Sequence, residues 1–272
     1  QMQKLLLEKR PDAVVCTHAL PSYLLKILKR KGIWTGTIIN VYTDYYINDL
    51  WGASAIDYHF VPSLESKREL MEKGIHGGKI IVSGIPIDPI FKWKAKKENK
   101  RRQWKILISG GNMGAGSIVR LVSRLQPTGK VVYYVLCGKN DRLFEQIERF
   151  NHPFIRAIPY LDSKEKMNDL YDTVDGVISK PGGVTITECL WKGLPIFVYE
   201  ALPGQEEFNL SYLSSQGLVT FLRDWNHTTD LEARIIQHLQ KDLPKAHERF
   251  TEFSSRLETA DPVKVIREIC IG

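Results

Sequence analysis

The chain has 272 residues, 43% hydrophobic and 25% charged, the composition of a globular protein long enough for about two domains of ordinary size. Its formal charge of +7 raises the question of an anionic partner. No apolar run approaches the roughly 18 residues needed to cross a bilayer, and the opening residues lack the apolar core of a signal peptide. The four cysteines, Cys16, Cys137, Cys189 and Cys270, are far apart, with no CxxC pair and no histidines spaced for zinc. They read as reduced core residues of a cytosolic protein, and no metal site is expected.

Residues 2–9 read as the last turns of a helix, and a chain that begins there without an initiating Met reads as truncated or processed. A buried strand at 13–17 follows, then a helix at 22–30, strands at 37–41 and 57–61, a helix at 63–73 opened by a Ser cap, and a strand at 79–83. Apolar runs alternating with amphipathic helices predict a parallel sheet with crossover helices. The first half is expected to lack strands at its beginning.

Between Lys92 and Lys105 stand eight basic residues and one acid, a surplus equal to that of the whole chain. One reading is a solvated linker between domains; the other is attraction to acidic lipid headgroups, with Trp93 and Trp104 placed at the interface. The expected division is a partial domain at 1–92 and a complete doubly wound domain with a helical tail at 93–272.

In the second half a strand at 104–109 runs into the glycine loop 110–116 and a helix at 117–125. Strands follow at 131–137, 154–159, 176–179 and 194–199, and the tail predicts helices at 230–240, 245–257 and 262–269. The loop GGNMGAG has the strand-to-helix context of a phosphate site, but it is not GxGxxG and no acid follows at the spacing that binds a nicotinamide ribose, so dinucleotide binding is disfavoured. No GxSxG, HExxH or Walker A pattern is present, nor is there any internal repeat.

The stretch 177–209, VISKPGGVTITECLWKGLPIFVYEALPGQEEFN, reads as strand, glycine turn, helix, strand and polar loop, the order that builds a crevice at the carboxyl ends of an open sheet. A helix start behind two glycines favours an anion, because its first amides are unpaired and the macrodipole adds positive charge. Within it, Thr185 and Glu188 have the spacing of a capping box, yet a carboxylate there can instead grip two vicinal hydroxyls. Gln205, Glu206, Glu207 and Asn209 read either as a polar helix start or as the hydrogen-bonding set of a sugar ring. Lys180 is a phosphate partner or a surface charge. His18 and Asp44 both follow predicted strands of the first half, where a crevice would face the second domain; a lone His or Asp is more often structural, but two at strand ends favour a functional reading.

SKPGGVTITE followed by LPGQEEFN resembles the donor half of GT-B glycosyltransferases of the monogalactosyldiacylglycerol synthase and processive diacylglycerol glucosyltransferase type. LCGKN at 136–140, PDAVVCTHALPS at 11–22, VYTDYYINDLW and HFVPS support it, so the resemblance covers nearly the whole chain. It implies an α/β GT-B fold of two Rossmann-like domains, the N-terminal one incomplete. The implied reaction is inverting transfer of a hexose from UDP-glucose or UDP-galactose to diacylglycerol or a similar lipid, with no cofactor and no essential metal. Gly110, Gly111, Gly182 and Gly183 would surround the diphosphate, with Asn140, Lys180 and Thr185 beside them. Tyr160 would flank uracil, Glu188 would hold the ribose, and Gln205, Glu206 and Asn209 the sugar, while Asp44 and His18 are the catalytic candidates. The family's glycine-rich start with its histidine has no counterpart, and Asn48 stands where relatives often carry His. The expected setting is peripheral, on an anionic membrane at the inner face of the cell membrane, with no nucleic acid partner. The alternatives are a noncatalytic UDP-sugar-binding remnant and, at greater remove, a nucleotide-sugar epimerase.

Overall fold

The computed structural model describes residues 1–93, 103–110, 115–259 and 261–271. The chain divides into two α/β units, the first made of Gln1–Pro86 with Phe253–Gly272 and the second of Ile87–Glu252.

The first unit runs α1 (Met2–Lys9), β1 (Ala13–Cys16), α2 (Ala19–Arg30), β2 (Thr37–Val41), β3 (Tyr58–Val61), α3 (Leu64–Glu72) and β4 (Ile80–Val82). The four strands pair in parallel in the order β1-β2-β3-β4, with Val15 opposite Ile39, Ile39 opposite Tyr58 and Phe60 opposite Ile81. Each crossover steps the same way, as right-handed connections between neighbouring strands dictate. The expected Ser cap forms, with Ser63 Oγ accepting from the Ser66 amide at 3.2 Å. Helix α2 starts earlier than the 22–30 expected, because His18 caps it and Pro21 falls in its first turn, where no amide is needed. Apolar residues of strands and helices (Ile38, Val61, Val82, Leu25, Leu70) are buried together, so the sheet closes on a single core.

In the second unit the order along the chain is β5 (Trp104–Ser109), α4 (Ala115–Arg124), β6 (Val131–Leu136), α5 (Asp141–Glu148), β7 (Ile155–Ile158), α6 (Lys164–Thr173), β8 (Gly176–Ser179), α7 (Gly183–Trp191), β9 (Ile196–Val198), α8 (Gln205–Ser215), β10 (Thr220–Phe221) and α9 (Leu231–Ser254). Its six parallel strands are ordered β10-β9-β8-β5-β6-β7. From β5 the chain winds outward to β7, returns to the other side of β5 with β8, and winds outward again. β8 is buried along its whole length, and Ile106, Ile108, Ile178 and Phe197 pack in one cluster with Ile118 and Leu121 of α4. That is why the strands read as unbroken apolar runs: helices cover both faces of a parallel sheet.

Further features depart from the expectations. The stretch 230–257, which the sequence divides into two helices before residue 245, forms one: α9 continues through Pro244. The proline removes one helical hydrogen bond, while Ile235 and Leu239 before it and Phe250 and Phe253 after it are all buried, which holds both halves in line. The end of the tail, expected with 93–272, belongs to the first unit: α10 (Pro262–Ile271) lays Val265, Ile266 and Ile269 on Ile39, Val41 and Phe60. Glu258 fastens it there, its amide donating to the Val82 carbonyl at 2.7 Å and its carboxylate accepting from the Val82 amide at 2.9 Å. Lys67 pairs with the same carboxylate. Cys270, expected in the core, is exposed on α10, whereas Cys16, Cys137 and Cys189 are buried. Trp104 is a strand residue packed on the second unit's core, and Trp93, which stays exposed, stacks on His247 with ring centroids 3.9 Å apart. Of the basic stretch, Lys94, Lys96, Lys97, Lys100, Arg101 and Arg102 lie outside the described residues. No helix among the described residues is long and apolar enough to cross a membrane.

A line of buried polar groups crosses the first sheet. The Asn40 amide donates to the Tyr42 hydroxyl at 3.3 Å, and that oxygen lies 2.9 Å from His59 Nδ1. Burial pushes the His59 imidazole down to about 4, Lys79 adding to the depression and Asp57 opposing it. The folded state therefore binds fewer protons than the unfolded chain, whose histidine titrates near 6.5. Stability should fall as the pH is lowered from about 6.5 to about 4, by about 3 kcal/mol over that window. Urea unfolding across the window should show a shallower loss in His59→Gln; an unchanged pH slope in that variant contradicts the assignment.

Candidate functional site

The reversal of strand order puts β8 beside β5, the place in an open α/β sheet where a ligand crevice forms beyond the carboxyl ends of the strands. Both glycine turns singled out in the sequence stand there: Gly110 after Ser109, and Gly182-Gly183 after Ser179. At Gly110 the reason is packing, because a Cβ would stand 2.3 Å from Ile118 Cδ1 and 3.3 Å from the Tyr199 hydroxyl. Gly111 and residues 112–114 lie outside the described residues.

Gly182 is different. It is the N-cap of α7 at φ −74° and ψ 134°, backbone that any residue adopts, and a Cβ there would meet nothing within 4 Å. No side chain caps the helix. Serine, asparagine or aspartate would cap it better than glycine does, so the fold gains nothing from the missing side chain. The first helical bond runs from the Ile186 amide to the Gly182 carbonyl, which leaves the amides of Gly183, Val184 and Thr185 ahead of the ladder at the positive end of the macrodipole. The turn is held from behind by Asn209, which is fully buried and donates its amide to the Pro181 carbonyl at 2.9 Å. Asn209 thus shapes the turn rather than lining the crevice.

Because α7 begins at Gly183, Glu188 lies in its second turn and makes no capping box with Thr185. Its Oε2 accepts from the Tyr171 hydroxyl of α6 at 3.0 Å. Burial raises the Glu188 pKa and the tyrosine bond opposes that rise, the net shift being upward. Lys180 faces Glu200 at the end of β9 at 3.1 Å, with its side chain 11% exposed, so its charge is already engaged. Burial works to raise the Glu200 pKa, but Ser117, Lys180 and Arg120 outweigh it and the carboxyl ends below its ordinary value.

On the other flank of β5 a cleft of about 610 Å³ is lined by Ser109, Lys139, Asn140, Tyr160, Met167 and Thr185, among others, within the range of small-molecule sites. Tyr160 is half exposed, with the Lys139 ammonium 4.7 Å from its ring centroid. Asn140 also caps α5, accepting from the Leu143 amide at 2.9 Å. At the start of α8 the carboxylate of Glu206 accepts from the Leu202 amide at 2.7 Å and that of Glu207 from the Gly204 amide at 3.2 Å, while Gln205 is exposed. Glu206 and Glu207 fix the loop as a helix start, one of the two readings left open by the sequence.

In the first unit His18 and Asp44 follow the adjacent strands β1 and β2. His18 Nδ1 accepts from the Leu20 amide at 3.3 Å. This histidine caps α2. Asp44 is half-buried. Asn48 accepts from the Leu50 amide at 3.1 Å, a turn role. Sequence reasoning missed Ser109, Lys139, Met167, Tyr171 and Glu200. Lys139 sits inside the quoted LCGKN and could have been found there; Tyr171 lies on a different helix from its partner, and spacing carries no sign of it. Among the described residues no group of three or more metal-ligating side chains comes together.

The sequence profile of the glycosyltransferase family 28 C-terminal domain matches residues 105–264, and that of monogalactosyldiacylglycerol (MGDG) synthase matches residues 1–87. An uncharacterized glycosyltransferase of Bacillus subtilis, YkoN, is 49% identical over 227 residues, 83% of this chain and 61% of that protein. A processive diacylglycerol beta-glucosyltransferase of the same organism is 30% identical over 224 residues, 77% of this chain and 56% of that protein. The chain therefore spans less than two thirds of the length of these curated relatives. The crystal structure of Acinetobacter baumannii MurG superposes with a TM-score of 0.66 at 14% identity, over 99% of this chain and 76% of that one, which establishes the GT-B fold.

The two glycines should respond oppositely to a side chain. Gly110→Ala should destabilise the protein by about 1–3 kcal/mol through overpacking against Ile118. Gly182→Ser should leave stability unchanged or raise it by a few tenths of about 1 kcal/mol through capping. Thermal melting of both variants checks this, and a large loss in Gly182→Ser contradicts it.

Proposed function

The chain belongs to glycosyltransferase family 28, and we propose that it binds UDP-glucose or UDP-galactose in its second unit and transfers the hexose, with inversion, to diacylglycerol or a similar lipid. The observation that carries the donor site is Gly182: a helix cap kept as glycine where the fold has room and use for a side chain is explained by a ligand that approaches the backbone there. A diphosphate suits the place, since it would receive the first amides of α7 and the positive end of its dipole.

In this reading Glu188 accepts from the ribose hydroxyls, Tyr160 flanks the uracil, and Gln205, with Glu206 at the same loop, contacts the hexose. The acceptor hydroxyl attacks the anomeric carbon as the bond to the diphosphate oxygen breaks. The proton passes to Asp44 as general base, and the charge gathering on the departing UDP is met by the α7 amides. No metal takes part. His18 supports the acceptor side as the cap of α2. A lipid acceptor sets the work at a membrane surface, and the basic stretch 92–105 is the segment assigned to anionic headgroups at the inner face of the cell membrane.

Calorimetric titration with UDP, UDP-glucose and UDP-galactose should give saturable heat with UDP and at least one sugar nucleotide, and Gly182→Ser should lose that binding while melting as the parent does. No heat and no competition from any of the three overturns the donor site. Transfer of radiolabelled hexose to diacylglycerol in anionic vesicles tests the reaction: Asp44→Asn should lower it by about 100-fold or more with UDP affinity unchanged. Binding without any transfer overturns the catalytic half of the proposal.

A further inference from the structure

Tyr171 is a buried tyrosine, 1% exposed, that the reaction above does not use. Its ring stands edge-on to Phe91, centroids 5.7 Å apart at 73°, and its hydroxyl donates to Glu188 Oε2 at 3.0 Å. The helix that carries it is tied to α7 a second time. Lys192, its side chain 1% exposed, pairs with Asp172 and donates to Asn168 Oδ1 at 3.0 Å. The phenol oxygen therefore has a fixed place relative to the backbone of Glu188.

A carboxylate offers about four lone-pair positions on two oxygens. A vicinal diol needs two of them in a set orientation, and a half-exposed glutamate left to itself samples several rotamers. Tyr171 takes one of these positions, on Oε2, and so orients the carboxylate plane for a ligand at the others. We propose that Tyr171 is the positioning residue for Glu188, holding its carboxylate toward the ribose hydroxyls of the donor nucleotide without touching the ligand. The proposal rests on the ribose role given to Glu188 above.

The charge state fits this arrangement. Burial and the neighbouring Cys189 and Glu188 raise the Tyr171 pKa well above its ordinary value, so it stays a donor throughout the working range. Its bond works against the upward push of burial on Glu188 and favours the ionised carboxylate. The ionisable groups bearing on this carboxylate are Tyr171 from α6 and Cys189 on its own helix; burial keeps the Cys189 thiol protonated.

The test measures affinity for UDP-glucose and for its 2′-deoxyribose counterpart between about pH 5 and 8, a range in which the diphosphate diester does not titrate. The parent chain should prefer the ribose form. Tyr171→Phe should bind UDP-glucose about tenfold more weakly at neutral pH, prefer ribose less, and have the acid limb of its binding profile moved to higher pH. A residue with only a packing role would change the melting temperature and leave that limb in place. Incorporation of 2,3-difluorotyrosine at position 171, the same shape and a stronger donor, should move the limb to lower pH. It also supplies the test should the phenylalanine variant fail to fold. A limb unmoved by the substitution that folds overturns the proposal. Glu188→Gln separates this from the reading beneath it: retained ribose preference in that variant overturns the ribose role itself, whereas lost preference there with parent-like behaviour at Tyr171→Phe overturns only the positioning role.

Discussion

The second unit depends on one constraint, that parallel strands joined by right-handed crossovers must reverse direction somewhere if helices are to cover both faces of the sheet. The reversal falls between β5 and β8. Gly110, the Gly182-Gly183 turn and the cleft that reaches Tyr160 all stand about that reversal. Each wall then has its own reason for its residues: close packing against Ile118 on one side, and a bare helix start on the other.

Such a crevice is where backbone groups are hardest to satisfy, since strands end and helices begin around it. The fold and a ligand compete there for the same polar side chains. His18, Asn140, Asn209, Glu206 and Glu207 each bond to a nearby backbone group. Lys180 is neutralised by Glu200. What remains for a ligand is less side-chain chemistry than the sequence suggests and more backbone: the first amides of α7, one oriented carboxylate, an exposed aromatic ring and the exposed Gln205. Glu188 belongs to both groups, since Tyr171 holds one of its oxygens and the ribose role is proposed for the same carboxylate.

The first unit solves its burial problem by borrowing. Ile39, Val41 and Phe60 present an apolar face that α10 covers with Val265, Ile266 and Ile269, and Glu258 bonds to both backbone groups of Val82 as the chain arrives. The amphipathic pattern of 262–269 is plain in the sequence, but periodicity states only that one face of a helix is apolar. It carries no mark of which sheet that face will meet. For the same reason Pro244, a sound signal for ending an isolated helix, was overruled by buried residues on both sides of it.

The sequence by itself determined the alternation of strands and helices, the parallel sheets that follow from it, and the two glycine turns, because period, propensity and turn chemistry act over a few neighbouring residues. Through the quoted motifs it also pointed to a GT-B fold, which the structural comparison bears out. The tertiary structure alone decided the order of strands about β5, the unit to which the tail belongs, and the partner of each polar side chain. Those outcomes depend on groups far apart in the chain meeting in space. Tyr171 and Glu188, on separate helices and 17 residues apart, are the case in point: nothing local links them, and only the packing of α6 on α7 brings the hydroxyl to the carboxylate.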